Sequence, residues 1–245
     1  MNKVDRKRSL SYQALTGCYK CFRCGASGRA EFTEGAETYE PRIEIIKQPD
    51  CFYDLSQEPG RTSLDCAPFR KYVFTRMSER VLSQTHVGAC LAGNMDGRVI
   101  VPMFANDGTT WCWYVGRTIN PGVSKKYLYP RGSRKGIIYN HAALLVETDE
   151  PVIVTEGCFD VFPFWPNAVA LLGKVTEEQY EALLVARRPV CVVLDGDAWQ
   201  EGAMLALRLQ MCGQRATALK LEPKKDPDDC VEEVRYLARR SFVHV

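Results

Sequence analysis

After Pro151 the chain changes rhythm, and that change constrains the fold more than any other feature. The apolar runs VIVTE, AVALLG, VCVVLD and ATALKL alternate with longer stretches of helical character, among them TEEQYEALLVARR and QEGAMLALRLQMCG. Near-continuous β-branched runs joined by helical segments predict a parallel sheet buried on both faces, since parallel neighbours need a crossover long enough to hold a helix. Thr176 ahead of Glu177 and Glu178 predicts an N-terminal cap, and Gly213 closes a stripe of Leu205, Leu209 and Cys212. Further helices are expected from about Phe159 and from Asp228.

The strands end in carboxylates. VIVTEG (152–157) ends on Glu156, and VCVVLDGD (190–197) ends on Asp195 and Asp197. KKDPDD follows the last run and carries Asp226 and Asp228. A single Asp at a strand end more often caps the next helix or stays solvated. Acids that recur after successive strands of one sheet instead converge where open α/β sheets bind ligands. Asp195 and Asp197, two apart, share a face if the chain stays extended there, with Gly196 giving the backbone room to turn. Carboxylates packed together repel unless a cation holds them, and hard oxygen donors favour Mg²⁺ or Mn²⁺ over zinc.

The preceding region differs. Tyr72, Val73, Met77 and Val81 fall at helical spacing, giving one expected helix from Phe69 to about Leu82. RVIVPMF, NDG and WCWYVGR read as a hairpin. Between Arg117 and Lys135 there are six basic residues and no acidic ones, a solvated loop if taken alone and a phosphate-binding surface if it faces the acids. Trp111, Trp113 and Tyr114 beside it are candidates for base stacking, with two of the three expected in the core. The stretch 36–68 has no clear periodicity and reads as linker.

The eleven cysteines are an odd number, and Cys90, Cys112, Cys158, Cys191 and Cys212 sit singly in apolar runs, as reduced thiols do. No apolar stretch approaches the roughly 20 residues of a membrane helix, and the polar start lacks a secretory core, so no membrane contact and a cytoplasmic location are expected. A net charge of +2 decides nothing by itself, and 46% hydrophobic residues are enough for a sizeable core.

These residues carry a resemblance. VIVTEGCFDVF is similar to the Glu-Gly-x-x-Asp element of TOPRIM domains, LDGDA to their Asp-x-Asp element, and KKDPDD to the acidic tail of bacterial DnaG-type primases. ALLGKVTEEQ resembles the segment between those elements in primases, while DGRVIVPMF, VGRTI, KKYLYP and SRKGIIYN resemble the basic amino-terminal subdomain of the primase core. The resemblance implies an α/β fold with a TOPRIM-like parallel sheet and helices on both faces, preceded by a smaller mixed α+β subdomain. The implied division is a partial zinc-ribbon segment over 1–35, a linker over 36–68, the basic subdomain over 69–150 and the TOPRIM domain over 151–245.

The implied activity is DNA-templated synthesis of short RNA primers. Glu156, Asp195 and Asp197 are the implied catalytic residues, and Glu156, Asp160, Asp195, Asp197, Asp226 and Asp228 the metal set. Arg76, Arg117, Lys126 and Lys135 are the implied nucleotide or template contacts; Met77 and Tyr129 depart from the family pattern, which has glycine and asparagine there. CYKCFRCGASG resembles the second half of a primase zinc ribbon, implying Cys21 and Cys24 as zinc ligands with Cys18 a third by spacing; the first pair of ligands has no counterpart upstream. Implied partners are single-stranded DNA, ribonucleoside triphosphates and a replicative helicase on a separate chain, since these residues contain no GxxxxGK[ST] loop. Bacteriophage primases resemble this core as well. The competing classes are a TOPRIM nuclease, using the same carboxylates with water as nucleophile, and a non-catalytic nucleic-acid binder.

Overall fold

A computed structural model describes residues 10–12, 18–21, 27–29, 45–57, 63–105 and 108–242. Three short strands, β1 (Leu10–Tyr12), β2 (Cys18–Cys21) and β3 (Ser27–Arg29), pair antiparallel in that order. Cys18 and Cys21 are the two ends of β2, and Cys24 lies outside the described residues.

A five-stranded antiparallel sheet follows, ordered β4 (Phe52–Asp54), β5 (Gly88–Cys90), β6 (Arg98–Phe104), β7 (Trp111–Thr118) and β8 (Tyr127–Leu128). The expected hairpin is β6–β7, in register from Arg98 opposite Thr118. Trp113 and Tyr114 are buried and Trp111 is half-buried; a β-bulge opposite Met103 and Phe104 breaks the alternation, so Trp111 packs with Tyr114 while Trp113 enters the other cluster.

Two expectations fail here. The stretch 36–68 is not linker throughout: β4 pairs with β5, and α1 (Ser63–Phe74) already begins at Ser63. The single helix over 69–82 is two helices, α1 and α2 (Glu79–Thr85), broken at 75–78. Local hydrogen bonds make the break. The Thr75 hydroxyl donates back to the Tyr72 carbonyl, and Ser78 caps α2 by accepting from the Val81 N–H. Apolar periodicity runs across the break because both helices press on the same core.

The parallel sheet is ordered β10 (Ala168–Ala170), β9 (Val152–Thr155), β11 (Val190–Val192) and β12 (Ala216–Ala218). Helices α3 (Glu177–Leu184), α4 (Trp199–Met211) and α5 (Val231–Arg240) complete this half. The cap at Thr176 forms, with the Gln179 side chain returning to the Thr176 N–H at 2.9 Å, and Gly213 takes a φ of 85°. The expected α-helix at Phe159 is instead a 3-10 helix over Cys158–Phe164, since Pro163 supplies no N–H for an α-helical ladder. A short 3-10 turn at Pro227–Asp229 likewise precedes α5, which starts three residues later than expected.

Alternation along the strands explains why all of them read as apolar. Val152, Val154, Val190 and Val192 pack with Leu183, Leu205 and Leu209 of α3 and α4. Ile153, Cys191 and Val193 face the opposite way, into a cluster that also takes Val99, Val101, Trp113 and Val115 of the antiparallel sheet with Val73 and Val234. That second cluster spans the expected boundary near 150, so the two sheets share a core. Tyr139 and Ala170 exchange backbone hydrogen bonds across the same boundary. Buried Gln179 fastens it further, donating to the carbonyls of Ile137 (2.6 Å) and Leu171 (2.8 Å). Among the described residues no helix is long and apolar enough to cross a membrane.

Candidate active site

The chain leaves β9 toward β10 on one side, while β11, on the other side of β9, leads away to β12. The strand order therefore reverses between β9 and β11, and a crevice opens at their carboxyl ends. Glu156 follows β9 and Asp195 lies three residues beyond β11, so the topology brings both acids to that crevice.

Each acid is held by its own local device. The Thr155 hydroxyl donates to the Gly157 and Val169 carbonyls, and the Glu156 carbonyl accepts from Leu172 N–H at 2.8 Å. Asp160 folds back to accept from Gly157 N–H at 3.2 Å, and a Cβ on Gly157 would stand 2.6 Å from that carboxylate oxygen. The Glu-Gly-x-x-Asp spacing is thus a steric requirement of this turn. Gly196 has a different purpose from the one its sequence position suggests. A Cβ there would lie 1.9 Å from the Glu222 carbonyl oxygen, and the Gly196 N–H donates to Lys225 O at 2.9 Å. The glycine lets the segment after β12 press against the Asp195 turn, which carries Asp226 to the crevice. Asp195 and Asp197 do not share an extended strand, because β11 stops at Val192 and Asp197 lies in a 3-10 turn, exposed at the rim.

The acids press on one another. Burial raises Asp160 to about 7, with Asp228, Asp195 and Asp226 adding to the push. Asp195 rises to about 6 through burial and then through Asp226, Glu156, Asp228 and Asp197. Asp226 is also raised, by burial first and by Asp228 and Asp229, while Lys126 and Arg76 pull the other way. Asp195 Oδ1 is buried with no hydrogen-bond partner among the described residues. Carboxylate oxygens of Asp226, Asp228 and Asp229 come within 4.8 Å of one another. The orphaned oxygen of Asp195, which feels the charge of the neighbouring Asp226 and Asp228, and the separate group of Asp226, Asp228 and Asp229 carry only hard oxygen donors of the kind that suit a divalent cation. Asp229 was not singled out from the sequence; its role in capping the Asp226 N–H, at 3.3 Å, is legible only as the fourth residue of a D-x-x-D turn.

Facing the acids is a basic wall. Arg117 on β7 is 9% exposed, with its guanidinium over the rings of Phe159 (4.8 Å), Tyr127 (5.2 Å) and Tyr72 (5.7 Å) and donating to the Tyr127 hydroxyl. It is a buried floor, not part of an open loop. Arg76 sits in the turn between α1 and α2 and pairs with Asp228. Lys126 is placed by buried Arg98, which donates to the carbonyls of Lys125 (3.0 Å), Lys126 (3.1 Å) and Gly116 (3.4 Å). Arg134 donates to Leu171 O and Lys174 O beside Gly173. Neither Arg98 nor Arg134 has a sequence signal that separates it from other arginines. Lys135 is exposed and stands outside the crevice.

Arg76, Arg117, Lys126, Tyr129, Glu156, Asp160, Asp195 and Asp226 line one cavity of about 300 Å³. Lys135 and Asp197 are not among its walls. A larger cavity, about 640 Å³, opens at the other end of the sheet beside Trp165 and α5, where Arg239 pairs with Glu150. The acids that raise one another's protonation, Asp160, Asp195 and Asp226, line the smaller one.

The fold is similar to that of solved primase polymerase domains. No family model matches the chain. The solved Aquifex aeolicus primase, comprising zinc-binding and RNA polymerase domains, superposes with a TM-score of 0.59 at 20% identity, covering 98% of this chain and 76% of that one. The RNA polymerase domain of Mycobacterium tuberculosis primase DnaG, solved with double-stranded DNA, gives a TM-score of 0.59 at 16% identity over 78% of this chain and 76% of that one. In sequence, the chain is 22% identical over 293 residues to the DNA primase of Helicobacter pylori, covering 93% of this chain and 52% of that protein. It spans about half the length of the curated relative it matches.

Proposed function

We propose that this chain makes RNA primers on a single-stranded DNA template, joining ribonucleoside triphosphates by metal-assisted nucleotidyl transfer. The observation that carries this reading is the single cavity in which Glu156, Asp160, Asp195 and Asp226 face Arg76, Arg117 and Lys126. Carboxylates alone suit any phosphoryl chemistry, whereas a cationic wall opposite them suits a substrate that brings a triphosphate. Primase relatives, and a neighbour solved with DNA, lend the same direction.

Mg²⁺ or Mn²⁺ held by Asp195, Asp226 and Asp228, with Glu156, Asp160 and Asp197 alongside, would neutralise the carboxylates and polarise the phosphate oxygens. The chain's own groups do the rest. Lys126, held through Arg98, places a positive charge over the phosphates at the mouth of the cavity. Arg117 adds fixed positive charge from below, because its surrounding rings leave it little freedom. Glu156, on the rigid end of β9, orients the attacking 3′ hydroxyl or takes its proton. Asp160, raised to about 7, holds the Gly157 N–H and so the turn that aims Glu156. Lys135 and exposed Lys125 and Arg131 extend the positive surface for the template.

Zinc belongs to this reading through Cys18, Cys21 and Cys24, with a replicative helicase as a separate partner and the cytoplasm as the compartment. Metal analysis of the purified chain with about one zinc per molecule supports the ribbon, and none refutes it. The central assay incubates the chain with single-stranded DNA, labelled ribonucleotides and Mg²⁺ or Mn²⁺. Short RNA products that vanish in Asp197→Ala and Glu156→Gln support primer synthesis; shortened DNA supports a nuclease, and no product supports a binder.

A further inference from the structure

The cations of the cavity are not equivalent. Arg117 is enclosed by rings, and Lys126 is exposed and meets Asp226 only through its field. Arg76 alone among them is locked onto a carboxylate of the acidic centre, donating through Nη1 to Asp228 Oδ2 across 152 positions of sequence. The Asp228 side chain is 13% exposed and that of Arg76 31%, so Arg76 lines the cavity while holding a largely buried carboxylate. Among the described residues the guanidinium has no second acceptor. The acids are therefore in two conditions: Asp195 offers a buried oxygen with no partner, while Asp228 already holds a permanent positive charge.

The guanidinium on Asp228 takes one of its oxygens and repels a second divalent ion, and an arginine freed from Asp228 needs another anion close by. A triphosphate entering the same cavity supplies one, with more charge and more acceptor oxygens than a single carboxylate. We propose that Arg76 is a built-in counter-ion of the metal centre. Without nucleotide the centre takes one divalent ion, at Asp195 with Glu156 and Asp226. The triphosphate draws Arg76 from Asp228, and only then does a second ion bind. This rests on the reading of the centre as a metal site that handles a nucleoside triphosphate.

The test counts Mn²⁺ ions bound to the full chain by titration calorimetry and by electron spin resonance, with and without α,β-methylene GTP, which cannot release pyrophosphate. The wild-type chain is expected to bind one ion alone and two with the analogue. Arg76→Met, which keeps the stem and removes the charge, is expected to bind two ions without nucleotide and to weaken the analogue at least about 10-fold. Two ions in the wild type without nucleotide, or a single or weakened ion in Arg76→Met, would overturn the proposal. Should Arg76→Met fail to fold, Asp228→Asn gives the answer: one ion with or without the analogue is expected, and loss of the nucleotide-free ion contradicts the idea. The count is independent of which bond the enzyme makes. Expected counts with no RNA synthesis would retain Arg76 in this role and end the primer-synthesis reading.

Discussion

The two walls of the cavity are built to different tolerances. The acidic wall comes from strand ends and from one loop pressed against a glycine, each acid fixed within one to three residues of a regular element or a capping turn. The basic wall comes from a helix–helix turn, the inner strand β7 of the antiparallel sheet and a strap tied down by Arg98. Carboxylates that share an ion need sub-ångström placement, which rigid strand ends supply. Long cationic side chains reach a triphosphate from several backbone positions, so looser elements suffice. Substitutions in the acidic wall should therefore damage the chemical step, and those in the basic wall should damage binding.

Asp195→Asn is the severest test. Primer synthesis should fall by about 10³-fold or more in kcat, while the melting temperature in metal-free buffer rises, because the change removes a buried charge crowded by four others. Activity above a tenth of wild type would break the distinction between the walls. Gly196→Ala comes next. With a Cβ 1.9 Å from the Glu222 carbonyl the loop must move, costing about 2–4 kcal/mol in urea unfolding and carrying Asp226 out of line. A variant as stable and active as wild type would show that the loop is not clamped as described.

On the basic side, Lys126→Ala should raise KM for ribonucleotide about 10-fold with a much smaller change in kcat. Lys135→Ala, outside the cavity, should change KM less than about 3-fold and show itself only as weaker template binding at raised salt. Reversed ranks for the two lysines would place the triphosphate elsewhere.

The smallest effect is a pH dependence. Asp160 and Asp195 have folded-state values of about 7 and about 6, above their ordinary 3.8, so the native chain holds protons that the unfolded chain has lost. Stability of the metal-free protein is therefore greatest on the acid side of this window and declines as pH rises from about 4 to about 7. Scanning calorimetry should find that decline flattened in Asp160→Asn, and a larger rise in melting temperature on adding Mg²⁺ at pH 8 than at pH 5. An equal Mg²⁺ effect at both pH values would remove the carboxylate cluster as the metal site.

The same contrast decides what could be read from sequence. The parallel sheet, its order of elements and Glu156, Asp195 and Asp226 were legible because apolar runs mark strands and acids recur after them, whereas Asp160 was reached only through the resemblance of its Glu-Gly-x-x-Asp element. The purpose of Gly196 was not, since its neighbour Glu222 is close only in space. In the basic half the helix break at 75–78 was hidden by an apolar stripe that continues across two helices, although Ser78 before Glu79 was a readable cap. Arg98 and Gln179 act through backbone carbonyls far away in sequence, and nothing local announces that. Lys126 and Lys135 look alike in a run of basic residues, and only the fold brings one to the acids and leaves the other outside the cavity.

The central claim is that the two walls form one nucleotidyl-transfer centre. It is tested most directly by measuring pyrophosphate release and labelled ribonucleotide incorporation together on single-stranded DNA with Mg²⁺ or Mn²⁺. One pyrophosphate for each ribonucleotide added to a growing RNA, both lost in Asp195→Asn, is the result expected. Cleavage of the DNA without pyrophosphate release would contradict it.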